Sequence, residues 1–201
     1  SGRGVSAEPC GGGGLRRMDA RGRRAEDVDV ASLVEHLRAD GVLLHPTETV
    51  YGFGSRAGGG GLERVRALKE RGPDEPVLLL VPDEHAVASL AWTDEARELA
   101  RVFWPGSVTL VLGDPDGRFP PGVRSPEGGV AVRRTAHPLT ARLVAALGEP
   151  MTSTSANAPG RAPARSGEEA ARVAEGLGAG SETWVLDVGT LPPSAPSTIV
   201  D

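Results

Sequence analysis

Cysteine and aromatic residues are nearly absent from this chain of 201 residues. The single cysteine, Cys10, cannot form a disulfide within one chain, and it argues against a zinc site built on cysteines. Aromatic residues make up 3% of the sequence, which leaves Leu, Val and Ala to fill the core. This cysteine usage is typical of a reducing compartment, and we expect a cytoplasmic location.

Long apolar runs and an excess of basic charge are also missing. No stretch approaches the roughly 20 apolar residues of a membrane span, and the first residues contain no apolar signal region. The formal net charge of −5 argues against a surface coated in basic charge for bulk nucleic-acid binding, although it leaves room for a small basic pocket. His45 and His85 have no partners at metal-ligand spacing, so we expect no metal site formed by the protein alone.

The two ends of the sequence differ in character. Residues 1–25 are rich in Gly and Arg without apolar periodicity, which predicts a disordered tail or an expression remnant. From residue 26 to residue 201, strand-like runs such as "VLLLV" at 77–81 alternate with helical patterns. The pattern predicts one α/β domain with a twisted, largely parallel or mixed open sheet flanked by helices. Such folds bind ligands in a crevice at the strand ends.

Polar side chains cluster where the predicted strands and helices end. The most conspicuous stretch is "HPTETVYGFG" at 45–54, which follows an apolar run and combines hydroxyls with two glycines. Four more clusters have the same character. They are Lys69–Arg71, Arg133–His137, Thr152–Asn157 and Ser197–Thr198.

Each of these clusters has an ordinary structural explanation when it is taken alone. Threonines commonly close turns, and Lys69 with Arg71 would suit the end of a helix. Together, however, Lys and Arg bind phosphate or carboxylate, while Ser, Thr and Asn orient a small polar molecule. The set therefore favours a polyanion held beside a small polar ligand. A nucleoside triphosphate, with Mg²⁺ as its usual companion, is the natural candidate.

Taken in order, these stretches resemble the YrdC-like family of threonylcarbamoyl-AMP synthases. The resemblance covers residues 27–201 and is carried by the following motifs: "HPTETVYGFG", "LKER" with "EPVLLLV", "WPGSVTLVL", "VAVRRTAHP", "TSTSAN" and "STIVD". It implies a YrdC-like fold around a concave cavity. It also implies an enzyme that makes threonylcarbamoyl-AMP from L-threonine, bicarbonate and ATP and releases pyrophosphate, for tRNA modification.

The resemblance also assigns roles to residues of this chain. Lys69 and Arg71 would contact the ATP phosphates and act in catalysis. The remaining nucleotide contacts would come from Arg133, Ser155, Asn157 and Ser197, and the threonine contacts from Thr47, Thr49, Tyr51, His137 and Ser153. Transient contact with tRNA or a tRNA-modifying complex is a further implication.

Several positions depart from the family's usual pattern close to these residues. They are Gly72, Glu75, Leu80, Thr135 and Pro159. Three interpretations follow: an ordinary synthase with a drifted site, a paralogue that adenylates a different carbamate, or a non-catalytic member that binds nucleotide or RNA. The first is our prediction. A glutamate at position 75 would repel phosphate unless it faces away or binds through magnesium.

Overall fold

The structure is a computed structural model and describes residues 8–9 and 14–201. Its five α-helices are α1 (Val30–Arg38), α2 (Gly60–Leu68), α3 (Asp94–Phe103), α4 (Pro138–Leu147) and α5 (Gly167–Gly176). The strands are β1 (Glu8–Pro9), β2 (Arg16–Asp19), β3 (Val42–Pro46), β4 (Tyr51–Gly54), β5 (Leu78–Leu80), β6 (Val108–Gly113), β7 (Gly129–Arg133), β8 (Met151–Ser155), β9 (Thr183–Asp187) and β10 (Thr198–Val200). Short 3₁₀ helices span Ala25–Asp27 and Glu84–Val87.

All ten of these strands join one sheet in the order β1-β2-β9-β3-β4-β8-β5-β7-β6-β10. Strand β9 pairs in parallel with β2 and β3, whereas β8 at the centre pairs antiparallel with both β4 and β5. The sheet is therefore mixed, with helices flanking it. The predicted α/β class is confirmed.

Most helices begin at a polar residue that caps the exposed backbone amides. Asp29, Thr93 and Ser166 each accept a hydrogen bond from the backbone N–H three residues later. Helix α4 is capped in the same way by the ring of His137, and Pro138 follows at the first position, where no N–H is needed. These local signals are why the helix starts follow from the sequence.

Apolar side chains pack on both faces of the sheet because successive strand residues point in opposite directions. In β3, Leu43 joins the cluster beneath α1 and α4, whereas Val42 and Leu44 join the cluster beneath α2 and α5. A third cluster surrounds β5, β6 and β7. Together these clusters fix the strand ends that carry the polar residues.

The expectation of a disordered tail over residues 1–25 is wrong for residues 14–25. Strand β2 pairs with β9, Leu15 and Met18 are buried, and Arg17 forms an ion pair with the buried Asp187. A few apolar residues in a Gly- and Arg-rich segment are enough to form a strand here, because β9 supplies the backbone hydrogen bonds. Residues 1–7 and 10–13 lie outside the described part of the chain.

The stretch "HPTETVYGFG", which the sequence predicts to be a strand end that opens into a turn, also contains a second strand. It forms an antiparallel hairpin in which β3 continues to Pro46 and β4 returns from Tyr51. Within residues 8–9 and 14–201, no helix combines the length and apolar character needed to cross a membrane.

Candidate active site

The turn of the β3–β4 hairpin is held together by the hydroxyl of Thr47. This oxygen accepts hydrogen bonds from the backbone N–H groups of Thr49 and Val50, at 3.2 Å each, and donates to the Val50 carbonyl at 2.7 Å. The Thr49 hydroxyl lies 3.1 Å from it. Thr47 therefore shapes the turn, and Thr49 is the hydroxyl with capacity left for a ligand.

A small cleft of about 110 Å³ opens between this hairpin and the neighbouring strand ends. Typical pockets for drug-sized ligands are several times larger, so the enclosed part suits a small molecule. The cleft is lined by Thr47, Thr49, Val50, Tyr51, Gly52, Leu78, Arg133, Ser153, Thr154, Ser155 and Ser197. Seven of the predicted site residues thus meet in one place.

A buried arginine and a glutamate lie on one side of the cleft. Arg133 ends β7 and is 3% exposed, and its Nε atom lies 3.9 Å from Oε1 of Glu48 in the hairpin turn. In the described part of the chain, neither of these two atoms has a hydrogen-bond partner. Burial lowers the pKa of Arg133, while the Glu48 charge raises it. Buried polar atoms without hydrogen-bond partners are costly, so these two atoms are suited to a ligand that supplies the missing hydrogen bonds.

Thr135 connects Glu48 to the start of α4. Its hydroxyl donates to Oε2 of Glu48 at 2.5 Å and accepts from the backbone N–H of His137 at 3.2 Å. The ring of His137 caps α4 through Nδ1, 3.5 Å from the Thr140 nitrogen, and burial lowers its pKa. His137 does not line the cleft, and Thr135 links its backbone N–H to Glu48.

His45 lies beneath the cleft and is completely buried. Its Nδ1 atom is 3.2 Å from the Pro46 carbonyl oxygen, and its Nε2 atom is 3.2 Å from the hydroxyl of Ser153. Burial lowers the pKa of His45 to about 4. The imidazole is therefore neutral near pH 7 and acts as a hydrogen-bonding group.

Lys69 lies on the other side of the cleft, just after α2, and is the only lysine in the sequence. Its ammonium donates to the carbonyl of Ser155 at 2.8 Å, and to the carbonyl and side-chain oxygens of Asn157 at 2.9 and 2.6 Å. Those contacts use all three donors of a lysine. Burial, with the nearby Arg71 charge, lowers the pKa of Lys69 to about 8.

The side chain of Asn157 also has hydrogen-bond partners within the protein on both its oxygen and its nitrogen. Its side-chain oxygen also accepts from the Ser155 hydroxyl at 2.7 Å, and its amide donates to the carbonyl of Arg161 at 3.0 Å. The loop after β8 is thus tied to Lys69 by contacts within the protein. A ligand on this side must replace some of them.

Arg71 reaches the same side of the cleft through longer contacts. Its guanidinium lies 3.3 Å from both the Pro76 carbonyl and the Thr154 hydroxyl. Glu75, in the adjoining loop, accepts from the backbone N–H of Gly72 at 2.9 Å and is exposed. Its carboxylate therefore closes a turn.

The phenol of Tyr51 points away from the small-molecule side. Its hydroxyl donates to the Gly189 carbonyl at 2.9 Å and accepts from the Val188 N–H at 3.0 Å, and the ring joins the core beneath α2 and α5. Burial raises its pKa. The hydroxyl is therefore already used in the fold, which removes the reason for expecting it to hold a ligand.

Sequence reasoning did not assign a role to three residues that the structure places at the site: His45, Glu48 and Thr135. Two signals were available for the first two, since Gly52 and Gly54 alternate along β4 and Glu48 sits between two threonines. A Cβ atom on Gly54 would come within 2.9 Å of the His45 ring, and one on Gly52 within 3.0 Å of the Ser153 hydroxyl. The glycines therefore make room for this buried pair.

Comparison with known proteins agrees with this architecture. The Sua5/YciO/YrdC family model, described as "Telomere recombination", matches residues 35–201. The chain belongs to the Sua5/YciO/YrdC family. Residues outside the match include the N-terminal β-strands and the first turn of α1.

Curated relatives of this family member are named threonylcarbamoyl-AMP synthases. The Stenotrophomonas maltophilia protein is 38% identical over 150 residues, which is 72% of this chain and 80% of the relative. The Chromohalobacter salexigens protein is 35% identical over 175 residues, 86% of this chain and 91% of the relative. The Bacillus subtilis protein is 30% identical, and the match covers 87% of this chain but 50% of that relative.

Solved structures share the fold. P. abyssi Sua5 complexed with L-threonine matches with a TM-score of 0.77 and 28% identity, over 92% of this chain and 52% of that protein. The chain thus spans about half the length of that relative. E. coli YciO matches with a TM-score of 0.73 and 22% identity, over 92% and 88% of the two chains, and supports the fold alone.

Proposed function

We propose that this chain is a threonylcarbamoyl-AMP synthase, an ATP-dependent nucleotidyltransferase that supplies an intermediate for tRNA modification. The observation that carries the proposal is the pair of buried Arg133 and partly buried Glu48, whose facing Nε and Oε1 atoms lack hydrogen-bond partners beside a cleft of amino-acid size. The family membership and the names of the relatives support it.

The Arg133–Glu48 pair suits an amino acid because such a ligand carries both charges. The α-carboxylate of L-threonine would receive charge-assisted hydrogen bonds from Arg133, and its ammonium group would face Glu48. The Thr49 hydroxyl and Ser153 would contact the remaining polar atoms. A nucleotide phosphate would satisfy the arginine but would be repelled by the glutamate, so we assign this side to threonine. The predicted nucleotide role of Arg133 thereby gives way to an amino-acid role in the proposal.

Lys69 and Arg71 are the cations that we assign to the ATP phosphates. They lie beside the cleft on the side of Ser155 and Thr154, within reach of a nucleotide that extends out of the enclosed part. Ser155, Asn157 and Ser197 would contact the same nucleotide. Positive charge placed where pyrophosphate departs stabilises the transition state of a nucleotidyl transfer.

The reaction would proceed in two steps. The bound threonine ammonium first gives up one proton to solvent; the neutral amine then forms a C–N bond to the carbon of bicarbonate, water is lost, and a carbamate results. A carbamate oxygen then bonds to the α-phosphorus of ATP while the bond to pyrophosphate breaks. Holding the reactants together in one cleft supplies much of the rate.

Magnesium is part of the proposal as a component of the substrate. In residues 8–9 and 14–201, no group of three or more His, Cys, Asp or Glu side chains could hold a metal ion. Mg²⁺ is commonly bound by nucleotide phosphates and water with few protein ligands. It would therefore arrive with ATP. We also propose contact with tRNA, or with a tRNA-modifying complex that consumes the product; family membership and the names of the relatives support this.

The direct test is product formation from ATP, L-threonine and ¹³C-bicarbonate, with pyrophosphate release measured in parallel. We expect threonine-dependent pyrophosphate release and a product whose mass carries one ¹³C. Release that needs another amino acid would indicate a paralogue acting on a different carbamate. ATP binding without any release would contradict the enzymatic assignment.

A further inference from the structure

The reaction outlined above uses Ser153 as a threonine contact but gives no role to His45, the buried side chain that is hydrogen-bonded to it. Both residues lie on the face of the sheet toward which Gly52 and Gly54 are open, and the Ser153 side chain lines the cleft while His45 lies beneath it. Ser153 is 6% exposed and His45 is 0% exposed. A ligand in the cleft can therefore contact the serine directly but the histidine only through it.

The hydrogen-bond partners of His45 determine which ring nitrogen carries the proton. The Pro46 carbonyl can only accept, so Nδ1 must be protonated to make the 3.2 Å contact. The ring is neutral because burial, together with the charge of Arg133, disfavours the imidazolium form and lowers the pKa of His45. Nε2 is consequently a lone-pair acceptor.

This tautomer determines the direction of the next hydrogen bond. With a lone pair on Nε2, the 3.2 Å contact forms only if the Ser153 hydroxyl donates its proton to His45. The serine oxygen then has lone pairs, and no proton, to offer the cleft. A hydroxyl free to rotate would adapt to either a donor or an acceptor, whereas this one is fixed.

We propose that His45 is a positioning residue that makes Ser153 a dedicated hydrogen-bond acceptor for a donor group of the bound amino acid. The inference rests on the proposed function, in which that ligand is L-threonine. Two groups of threonine can donate, the amine and the side-chain hydroxyl. In either case the arrangement favours an N–H or O–H over a carboxylate oxygen at this point, and so fixes the orientation of the amino acid.

The test is L-threonine binding by calorimetry to the full chain and to four variants. Ser153→Ala removes the acceptor, His45→Phe keeps a ring of similar size without a lone pair, and His45→Gln retains a side-chain oxygen that can accept from Ser153. The double variant combines Ser153→Ala with His45→Phe. ATP binding to each protein is the matched control, since neither residue is assigned to the nucleotide.

We expect Ser153→Ala and His45→Phe each to weaken L-threonine binding about fivefold to tenfold, the usual effect of one hydrogen bond. The double variant should be no weaker than either single variant, because both changes remove the same interaction. His45→Gln should stay within about twofold of the wild type. ATP affinity should stay constant throughout.

L-2-aminobutyrate, which lacks the hydroxyl of threonine, identifies the donor. If the hydroxyl donates, Ser153→Ala leaves aminobutyrate binding unchanged; if the amine donates, both ligands lose affinity equally. Either result supports a threonine contact at Ser153, and the coupling with His45 shows that the serine accepts in that contact. Additive losses in the double variant, or His45→Phe with wild-type affinity for threonine, would overturn the proposal.

Two further outcomes remain distinguishable. If His45→Phe does not fold, Ser153→Ala and His45→Gln with the two ligands still decide the matter, and a loss in His45→Gln equal to that in Ser153→Ala would contradict the role of the lone pair. A wild-type protein that binds ATP but not L-threonine would defeat the proposed function itself, and this inference with it.

Discussion

The two sides of the cleft are built in opposite ways. On the hairpin side, Arg133 is buried and Glu48 is partly buried, and one side-chain atom of each lacks a hydrogen-bond partner in the described structure. On the side of the β8 loop, the three donors of Lys69 are all occupied by Ser155 and Asn157. The hairpin side is therefore ready for a ligand, whereas the loop side must exchange internal contacts for those of a ligand. We infer that threonine enters a prepared site and that ATP rearranges the side it binds.

The largest expected effect comes from removing Arg133, the buried cation of the hairpin side. Arg133→Ala should reduce threonine-dependent pyrophosphate release about 100-fold or more, because the ligand carboxylate loses its charged donor and Glu48 keeps an unopposed charge. Steady-state kinetics at saturating ATP measure the loss. Arg134→Ala is the matched control, since Arg134 is the adjacent residue but is exposed and outside the cleft. Equal losses of pyrophosphate release in both variants would contradict the assignment of Arg133 to the threonine site.

A smaller loss is expected on the occupied side. Lys69→Ala should weaken ATP use about tenfold to 100-fold without unfolding the protein, and Arg71→Ala should also weaken it strongly. Part of the Lys69 effect is offset, because its ammonium must give up contacts with the loop before it binds phosphate. Saturation kinetics in ATP, with thermal melting as the folding check, measure this. Near-wild-type turnover in both variants would remove the phosphate assignment.

The lowered pKa of Lys69, to about 8, predicts a pH dependence of ATP affinity. The charged form binds phosphate, and it is lost as the pH rises through the pKa of the free protein. ATP affinity should therefore be constant below pH 8 and fall by up to about tenfold per pH unit above it. Lys69→Arg should remove this dependence, because a guanidinium stays charged. An unchanged ATP affinity up to about pH 10, near the ordinary lysine pKa, would contradict the shift.

Tyr51 tests whether a residue next to the cleft can be purely structural. Tyr51→Phe removes the hydroxyl that bridges Gly189 and Val188, so it should lower the free energy of unfolding by about 1–3 kcal/mol. Chemical denaturation measures this change. The KM for L-threonine should stay the same, and a rise in that KM with unchanged stability would restore the sequence-based assignment of Tyr51 to the ligand.

The smallest effect is expected at Glu75. The sequence alone predicts that Glu75→Lys would tighten ATP binding by removing a repulsive charge. In the structure the carboxylate is exposed and bonds to the Gly72 N–H, so solvent screens its charge. We now expect ATP affinity to change by less than about twofold at physiological salt. A much larger gain would mean that Glu75 turns toward the phosphates in the bound state.

The sequence was informative where structure is local. Apolar periodicity and capping residues determine most helices and strands, and both are visible within about ten residues. Strands β2 and β4 escaped this reasoning because they are short, rich in Gly or Arg, and stabilised by partners far along the chain. The polar residues at strand ends could be predicted because the strands themselves are recognisable from the sequence, and a strand locates its own end.

The connections within the site could not be read from the sequence. Glu48 and Thr135 are 87 positions apart, and Lys69 and Asn157 are 88 apart, so only the fold brings each pair together. Thr135 departs from the family's usual pattern, and its hydroxyl donates a hydrogen bond to Glu48. Leu80, another departure, is fully buried in the core beneath α1 and α4, and Pro159 lies exposed in the loop after β8.

Chemical labelling of Lys69 tests the difference between the two sides most directly. Because Lys69 is the only lysine, an amine-reactive reagent followed by mass spectrometry reports on this side chain, with the N-terminal amine as an internal reference. We predict that ATP alone strongly slows labelling of Lys69, whereas L-threonine alone leaves its rate unchanged. Labelling that L-threonine slows and ATP does not would contradict the assignment of the two ligands to the two sides.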